Sequence, residues 1–358
     1  MRKFRVLIIL ILAITFIACE KEKQDEIFHY YPTVNTDSVK NVLMYSAKLF
    51  GTIKESGGDS IINVGFCWSK NSNPSINDSV ILMSYIKNNF DAKIENLTGN
   101  TNYYFRTIAF NNYDTAFGNI LEFKTWDGTL KDYDGNEYEG VQIGNQGWMA
   151  ENLKSTHYSD GTPIATWCPP NMLYWYGQDH KIMPNKEADM NNDGLLNSSD
   201  SLIYVNNYGL LYTWYAANNI YSTSCNGWID RKVAEMCNDV CPTGWHLPSQ
   251  DEWEELEDYL LENNGYNYDS VSIQIKSKTM WNSNKNGNNK YGLNILPAGY
   301  WHDPSLTHYK TLGYGAYLWT STEGNSSNGI NIYVIDRLTD GLVSKSWYGF
   351  SVRCVKDE

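Results

Sequence analysis

Cys241-Pro242-Thr243-Gly244-Trp245-His246-Leu247-Pro248-Ser249-Gln250-Asp251-Glu252-Trp253 joins a cysteine, a rigid turn and a helix start in one short run. Ser249 followed three places later by Glu252 is a capping box: the serine oxygen takes an orphan amide and the glutamate reaches back to the serine N–H. Pro248 keeps the chain extended ahead of the cap. Trp253, Leu256, Tyr259 and Leu260 then fall on one helical face. Asp251, Glu252, Glu254 and Glu255 suit the positive end of a helix. The pattern predicts a helix from about Gln250 to Leu261, with its apolar face against a core. His246, between Trp245 and Leu247, reads as structural, and no catalytic group is needed to explain the stretch.

Working outward, 358 residues fit two or three domains. Aromatic content of 14% beside only 19% charged residues favours strand-rich folds over helical ones. A net charge of −13 repels phosphates, so nucleic acid is not an expected partner, while cation binding is compatible.

Arg2, Lys3 and Arg5 precede an almost wholly apolar run, Val6 to Ile17, too short for a stable span. It reads as a secretory signal. Phe16-Ile17-Ala18-Cys19 resembles the lipobox of bacterial lipoproteins. The resemblance implies a signal peptide at 1–18 and a lipid-modified Cys19 as the membrane anchor. The charged run Glu20 to Glu26 makes 19–30 a solvated tether. It is similar to the acidic signals that send lipoproteins to the outside of the outer membrane, so a lipid-anchored, surface-exposed outer-membrane protein is expected.

Residues 31–126 show short strands between turn signals, with candidates at Leu43–Ile53, Ile61–Trp68, Val80–Ile86 and Tyr103–Phe110. That spacing predicts a β-sandwich. Leu97-Thr98-Gly99-Asn100-Thr101-Asn102-Tyr103 resembles the tyrosine corner of fibronectin type III domains. On that resemblance Tyr103 bonds nearby backbone and Gly65-Phe66-Cys67-Trp68 is a central strand with its core tryptophan. Cys67 reads as a buried free thiol. The expected role of this unit is a spacer.

Residues 127–358 open with a hairpin whose turn is Asp134-Gly135-Asn136. A series of motifs follows in fixed order: Ile143-Gly-Asn-Gln-Gly-Trp148-Met-Ala-Glu-Asn-Leu153, Asp160-Gly-Thr-Pro-Ile164, Tyr208-Gly-Leu-Leu-Tyr212, the Cys241 stretch, Leu296-Pro-Ala-Gly-Tyr300, Trp319-Thr-Ser-Thr-Glu323 and Gly349-Phe-Ser-Val-Arg-Cys354. The series resembles the FISUMP family, the major paralogous domain of bacterial surface lipoproteins. The resemblance implies a C-type-lectin-like α+β fold. The expected architecture is therefore mainly β with a few helices: a fibronectin type III-like sandwich, then a lectin-like head. Trp301 stands where the family has a basic residue, a difference expected to alter a surface contact.

An exported chain can form disulfides. With Cys19 lipidated and Cys67 in the sandwich, Cys168, Cys225, Cys237, Cys241 and Cys354 remain. The family resemblance implies the pair Cys241–Cys354. Cys225 and Cys237 flank a short insert and could form a second bridge, and Cys168 with either of them is an alternative that spacing leaves open.

Asp189 to Asp200 carries the strongest chemical signal. Asp189, Asn191 and Asp193 stand at the first, third and fifth places of a calcium loop. Gly194 makes the sharp turn, Leu195 offers its carbonyl, and Asn197 and Asp200 complete the oxygen set. With aspartate at the last place and a helical Ser201–Val205 following, the loop resembles that of dockerins. Those modules have two repeats and one is present here, so cohesin docking is doubtful. The loop lies in an insertion at 185–207, and a structural calcium is expected.

Eleven of the 13 tryptophans follow residue 127. Trp148, Trp214, Trp245, Trp253 and Trp319 sit inside family motifs and are expected in the core. Trp167, Trp175, Trp228, Trp301 and Trp347 lie in polar surroundings and are the candidates for a ligand surface. The calcium–sugar triplets of C-type lectins are missing, as are metalloprotease, serine-hydrolase and phosphate-loop motifs. The expectation is a non-enzymatic head that binds an extracellular glycan or surface protein. A structural envelope role without a diffusible ligand is the alternative, and an enzyme the weaker one.

Overall fold

The computed structural model describes residues 31–84, 87–164, 182–183, 198–219, 239–282, 284–302, 309–345 and 347–357. Its first eight strands are β1 (Thr33–Lys40), β2 (Ala47–Glu55), β3 (Asn63–Ser69), β4 (Ser79–Met83), β5 (Asn89–Ile94), β6 (Asn102–Phe110), β7 (Thr115–Phe117) and β8 (Leu121–Lys124). They form one sheet in the order β1-β2-β5 and a second in the order β4-β3-β6-β7, with β8 continuing on β6. This is the three-on-four arrangement of a fibronectin type III sandwich. Alternation along β2 buries Ala47, Leu49, Gly51 and Ile53, and these face Phe66, Phe105 and Phe123 from the other sheet. The tyrosine corner is present: the Thr98 N–H donates to the Tyr103 hydroxyl at 3.0 Å. Cys67 is a buried free thiol, as expected. Trp68 departs from expectation. It sits at the end of β3, where the core thins, and is only half-buried, while Phe66 holds the centre.

The second region holds β9 (Thr129–Lys131), β10 (Glu137–Ile143), β11 (Gln146–Met149), β12 (Ile182–Met183), β13 (Leu211–Tyr212), β14 (Trp245–His246), β15 (Tyr300–His302), β16 (Tyr309–Lys310), β17 (Ala316–Glu323), β18 (Asn328–Val334), β19 (Leu338–Ser344), β20 (Tyr348–Gly349) and β21 (Val355–Lys356). Among the described residues its helices are α1 (Ser198–Tyr208), α2 (Trp214–Ala217), α3 (Gln250–Glu262) and α4 (Tyr268–Ile275). The main sheet runs β14-β21-β11-β10-β9, beside three-stranded sheets β17-β18-β19 and β16-β15-β20. The turn between β9 and β10 uses Gly135 at φ +86°, a conformation glycine adopts without a Cβ penalty.

Helix α3 starts at Gln250, one residue after the complete Ser249–Glu252 capping box, and buries Trp253, Leu256, Leu260 and Leu261. Trp253 packs on Trp148 with ring centroids 4.5 Å apart. Trp148, Trp214, Trp245, Trp253 and Trp319 are all buried, as their motif positions led one to expect. Cys241 and Cys354 form a disulfide that closes a 113-residue separation. In the chain-entropy model such a closure stabilises by about 4–5 kcal/mol.

Next to that disulfide, Arg353 is fully buried, and among the described residues no carboxylate pairs with it. Its Nε donates to Asn152 Oδ1 at 2.7 Å, Nη1 to the carbonyls of Met149 (3.0 Å) and Leu293, and Nη2 to the Asn294 carbonyl at 2.8 Å. Burial pulls its pKa down to about 9. The guanidinium thus ties the end of β11 to the 293–294 loop.

Sandwich and second region meet through specific contacts. The Tyr45 N–H donates to Gln142 Oε1 and Gln142 Nε2 donates to Ser46 Oγ, both at 2.8 Å. Lys93 Nζ reaches Asn145 Oδ1 at 2.6 Å. Trp126, in the connection, packs edge-on to Trp245 at 5.2 Å. A Cβ at Gly140 would stand 2.4 Å from the Trp126 ring, so that glycine is what admits the tryptophan.

Candidate functional site

Strands β17 and β18 have two apolar faces. Ala316, Leu318, Ile332 and Val334 point into the core beneath α3. Tyr317 and Tyr333 point to the other side, where they are direct cross-strand partners. Strand β15 lies between β16 and β20, so alternation turns Tyr300 and His302 outward and Trp301 inward. In β20, Tyr348 pairs with His302.

These elements bring five half-buried rings into one contiguous band. His302 lies 4.3 Å from Tyr348, Tyr348 5.9 Å from Tyr300, Tyr300 4.7 Å from Tyr317, and Tyr317 6.1 Å from Tyr333, centroid to centroid. Buried Phe350 floors the band, 5.6 Å from both Tyr317 and Tyr348 and 6.0 Å from Tyr300. Phe350 in turn rests on Trp319 at 4.4 Å. Burial pushes the Tyr300 and Tyr317 phenols above their ordinary pKa, so both stay neutral donors and acceptors at physiological pH. The Thr311 side chain hydrogen-bonds to Tyr317. Thr311 itself sits at φ +59°, strained for a β-branched residue. The arrangement is an aromatic shelf edged with phenol hydroxyls, groups that can stack and hydrogen-bond.

A second polar cluster lies at the start of α3. His246 bonds Glu252 Oε1 through Nε2 at 2.6 Å and Asp357 Oδ1 through Nδ1 at 2.7 Å. The Glu252 hydrogen bond leads in raising the His246 pKa to about 9, so both ring nitrogens carry protons near neutrality. Behind it, burial raises the Asp239 carboxyl to about 6, although it accepts the Cys241 and Leu247 N–H groups at 2.7 and 2.6 Å. Every polar atom of the imidazole is engaged, which makes His246 a clamp between α3 and the end of the chain.

Of the tryptophans expected at a ligand surface, Trp301 is a correction. It is 2% exposed, because β15 is flanked on both sides and its inward position is covered. Trp347, 50% exposed, precedes Tyr348 at the end of the band. Trp167, Trp175 and Trp228 lie outside the described residues, as do Cys19, Cys168, Cys225 and Cys237 and the calcium-loop residues Asp189, Asn191, Asp193, Leu195 and Asn197. Asp200 falls within α1, which begins at Ser198, but its side chain is not described. Among the described residues no group of three or more His, Cys, Asp or Glu is placed to hold a metal ion. The tyrosines of the band escaped sequence reading. Their signal was the alternation of Tyr317 and Tyr333 against apolar neighbours on strands that bury both faces.

Residues 141–356 match the Fibrobacter succinogenes major domain. The chain belongs to that family. The match begins within β10 and ends at the last strand, so the major domain contains the disulfide, α3 and the whole aromatic band. No curated protein matches the chain. Among solved structures, the sensor domain of the anti-sigma factor RsgI4 from Pseudobacteroides cellulosolvens is 20% identical over 26% of this chain and 94% of that one, with a TM-score of 0.21. The sixth fibronectin type III domain of human fibronectin type III domain containing protein 3 is 17% identical over 27% of this chain and 87% of its own, with a TM-score of 0.22. The sandwich assignment ahead of the major domain rests on strand order and the tyrosine corner, not on these likenesses.

Proposed function

We propose that this protein is a cell-surface lipoprotein whose head binds an extracellular glycan along the tyrosine band. The band of Tyr300, Tyr317, Tyr333, Tyr348 and His302 carries the proposal. Sugar rings present C–H faces that stack on aromatics and hydroxyls that meet phenols, and a shelf already packed on Phe350 loses little freedom on binding. In this reading Cys19 carries the lipid, 19–30 is the tether, 31–126 stands the head off the membrane, and 127–358 is a C-type-lectin-like head. The loop Asp189–Asp200 holds a structural calcium. The head is a binding module rather than an enzyme.

A glycan array probed with the full-length protein in detergent tests the proposal. Tyr317→Ala and Tyr333→Ala should each weaken binding about tenfold or more while leaving the melting temperature within a few degrees. Binding that survives both substitutions would overturn the site. Binding to no glycan would favour a structural envelope role, and turnover of a bound glycan would restore the enzyme reading. The calcium is tested separately: a melting temperature unchanged between added calcium and chelator would remove it from the proposal.

A further inference from the structure

An open sandwich has edge strands, whose outer N–H and C=O groups invite pairing with another chain unless something blocks them. Three of the four edges here are blocked. In β1 the ladder shifts register twice, and Asn119 takes both edge groups of Thr36, accepting its N–H at 3.0 Å and donating to its carbonyl at 3.1 Å. Edge strand β5 carries Asp91 and Lys93, ion-paired to Lys48 and Glu95. The third edge is split between β7, three residues long, and β8, which carries Glu122 and Lys124.

Strand β4 is the bare edge. Ser79-Val80-Ile81-Leu82-Met83 has no charge, no proline and no bulge, and its pairing with β3 runs unbroken from Ser79 opposite Trp68 to Met83 opposite Val64. Among the described residues no strand lies on its other side. Alternate residues therefore turn their backbone groups outward. Ile81, opposite Phe66, faces the core. Val80 and Leu82, opposite Cys67 and Gly65, face solvent, and Leu82 is 49% exposed.

This edge complements itself. When two copies lie antiparallel across a twofold axis at Ile81, Val80 of each meets Leu82 of the other on the solvent face, Ser79 meets Met83, and the two Ile81 side chains meet on the core side. Exposed Asp78, just before the strand, then stands at the same end as exposed Lys87 of the other copy, which follows the strand. A chain of net charge −13 repels its own copies elsewhere. Here the contact is neutral along its length and sets acid beside base at both ends.

We infer that β4 is a self-association edge, joining two copies of this chain antiparallel into one continuous sheet. The inference does not rest on the tyrosine band or on glycan binding. Antiparallel pairing sets the two heads at opposite ends, so on the lipoprotein reading it joins copies carried on facing surfaces rather than neighbours in one membrane.

Sedimentation velocity of the full-length protein, over rising concentration at a fixed excess of detergent micelles, tests it. A reversible dimer should form, and its small contact makes it a weak one. Leu82→Lys should raise the dissociation constant about tenfold or more. Asp78→Lys and Lys87→Asp should each raise it severalfold, and the two together should restore it, a rescue specific to pairing with a second, antiparallel copy. Tyr317→Ala should leave the dimer unchanged. A thermal melt of Leu82→Lys checks folding, and the charge swap carries the test if that variant is unstable. A chain that stays monomeric at every concentration overturns the inference and leaves the edge to a strand of another protein. A dimer indifferent to Leu82→Lys, or one that the double charge swap fails to restore, overturns it as well.

Discussion

His246 is fixed by hydrogen bonds at both ring nitrogens, to Glu252 and Asp357. Its folded pKa of about 9 lies above the ordinary value near 6.5. A raised pKa means that the folded state holds the proton more tightly. The stabilisation is therefore fully present below about pH 6.5 and is lost as pH rises through about 9. With a side chain 35% exposed, solvent screening reduces the effect to roughly 1–2 kcal/mol. The melting temperature should fall between pH 7 and pH 9.5, and His246→Gln should flatten that fall. Asp239, raised to about 6 by burial, acts in the same sense at lower pH: its contribution grows as pH drops from 6 towards 4. Arg353 is the other residue-scale test. Replacing it with Lys keeps the charge but loses the fork that reaches Asn152, Met149, Leu293 and Asn294. The expected cost is about 3 kcal/mol in denaturant unfolding, because buried carbonyls lose their donors.

At the scale of elements, local chemistry was readable and lateral packing was not. The Ser249–Glu252 box, the tyrosine corner and the Asp134-Gly135-Asn136 turn each follow from a few adjacent residues, and each is present. Ser249→Ala should cost about 1 kcal/mol, read as a lowered denaturation midpoint with an unchanged slope. The Cys241–Cys354 bond came from a family resemblance, since spacing alone allowed other pairings. Cys241→Ser with Cys354→Ser should lower stability by about 2–5 kcal/mol, measured against the wild type under non-reducing conditions. Trp301 shows where local reading fails. Its polar neighbours suggested exposure, but burial was decided by β16 and β20, strands that lie on either side of it only in three dimensions. The tyrosine band was hidden for the same reason: its rings come from β15, β17, β18 and β20, and no sequence window contains them all.

At the scale of the whole molecule, the junction decides how the two parts move. Trp126 sits in the space left by Gly140, and Gln142 bonds both Tyr45 and Ser46. Trp126→Ala should loosen this elbow, seen as a broader distance distribution in small-angle scattering while the tyrosine band still folds. The path of the chain gives the elbow its meaning. Thr33 begins β1 opposite Glu55, at the end of the sandwich remote from the head. The chain leaves at Lys124, opposite Asn102, at the near end. Eight residues of strand span about 25 Å between them. A pull between the N-terminus and a ligand held by the head would therefore run along the strands. The ladder hydrogen bonds of β1 on β2 and of β8 on β6 lie across that direction. Tension would load each ladder in shear, all rungs together, rather than peel it one rung at a time. The sandwich is placed to hold under load, not only to fill distance.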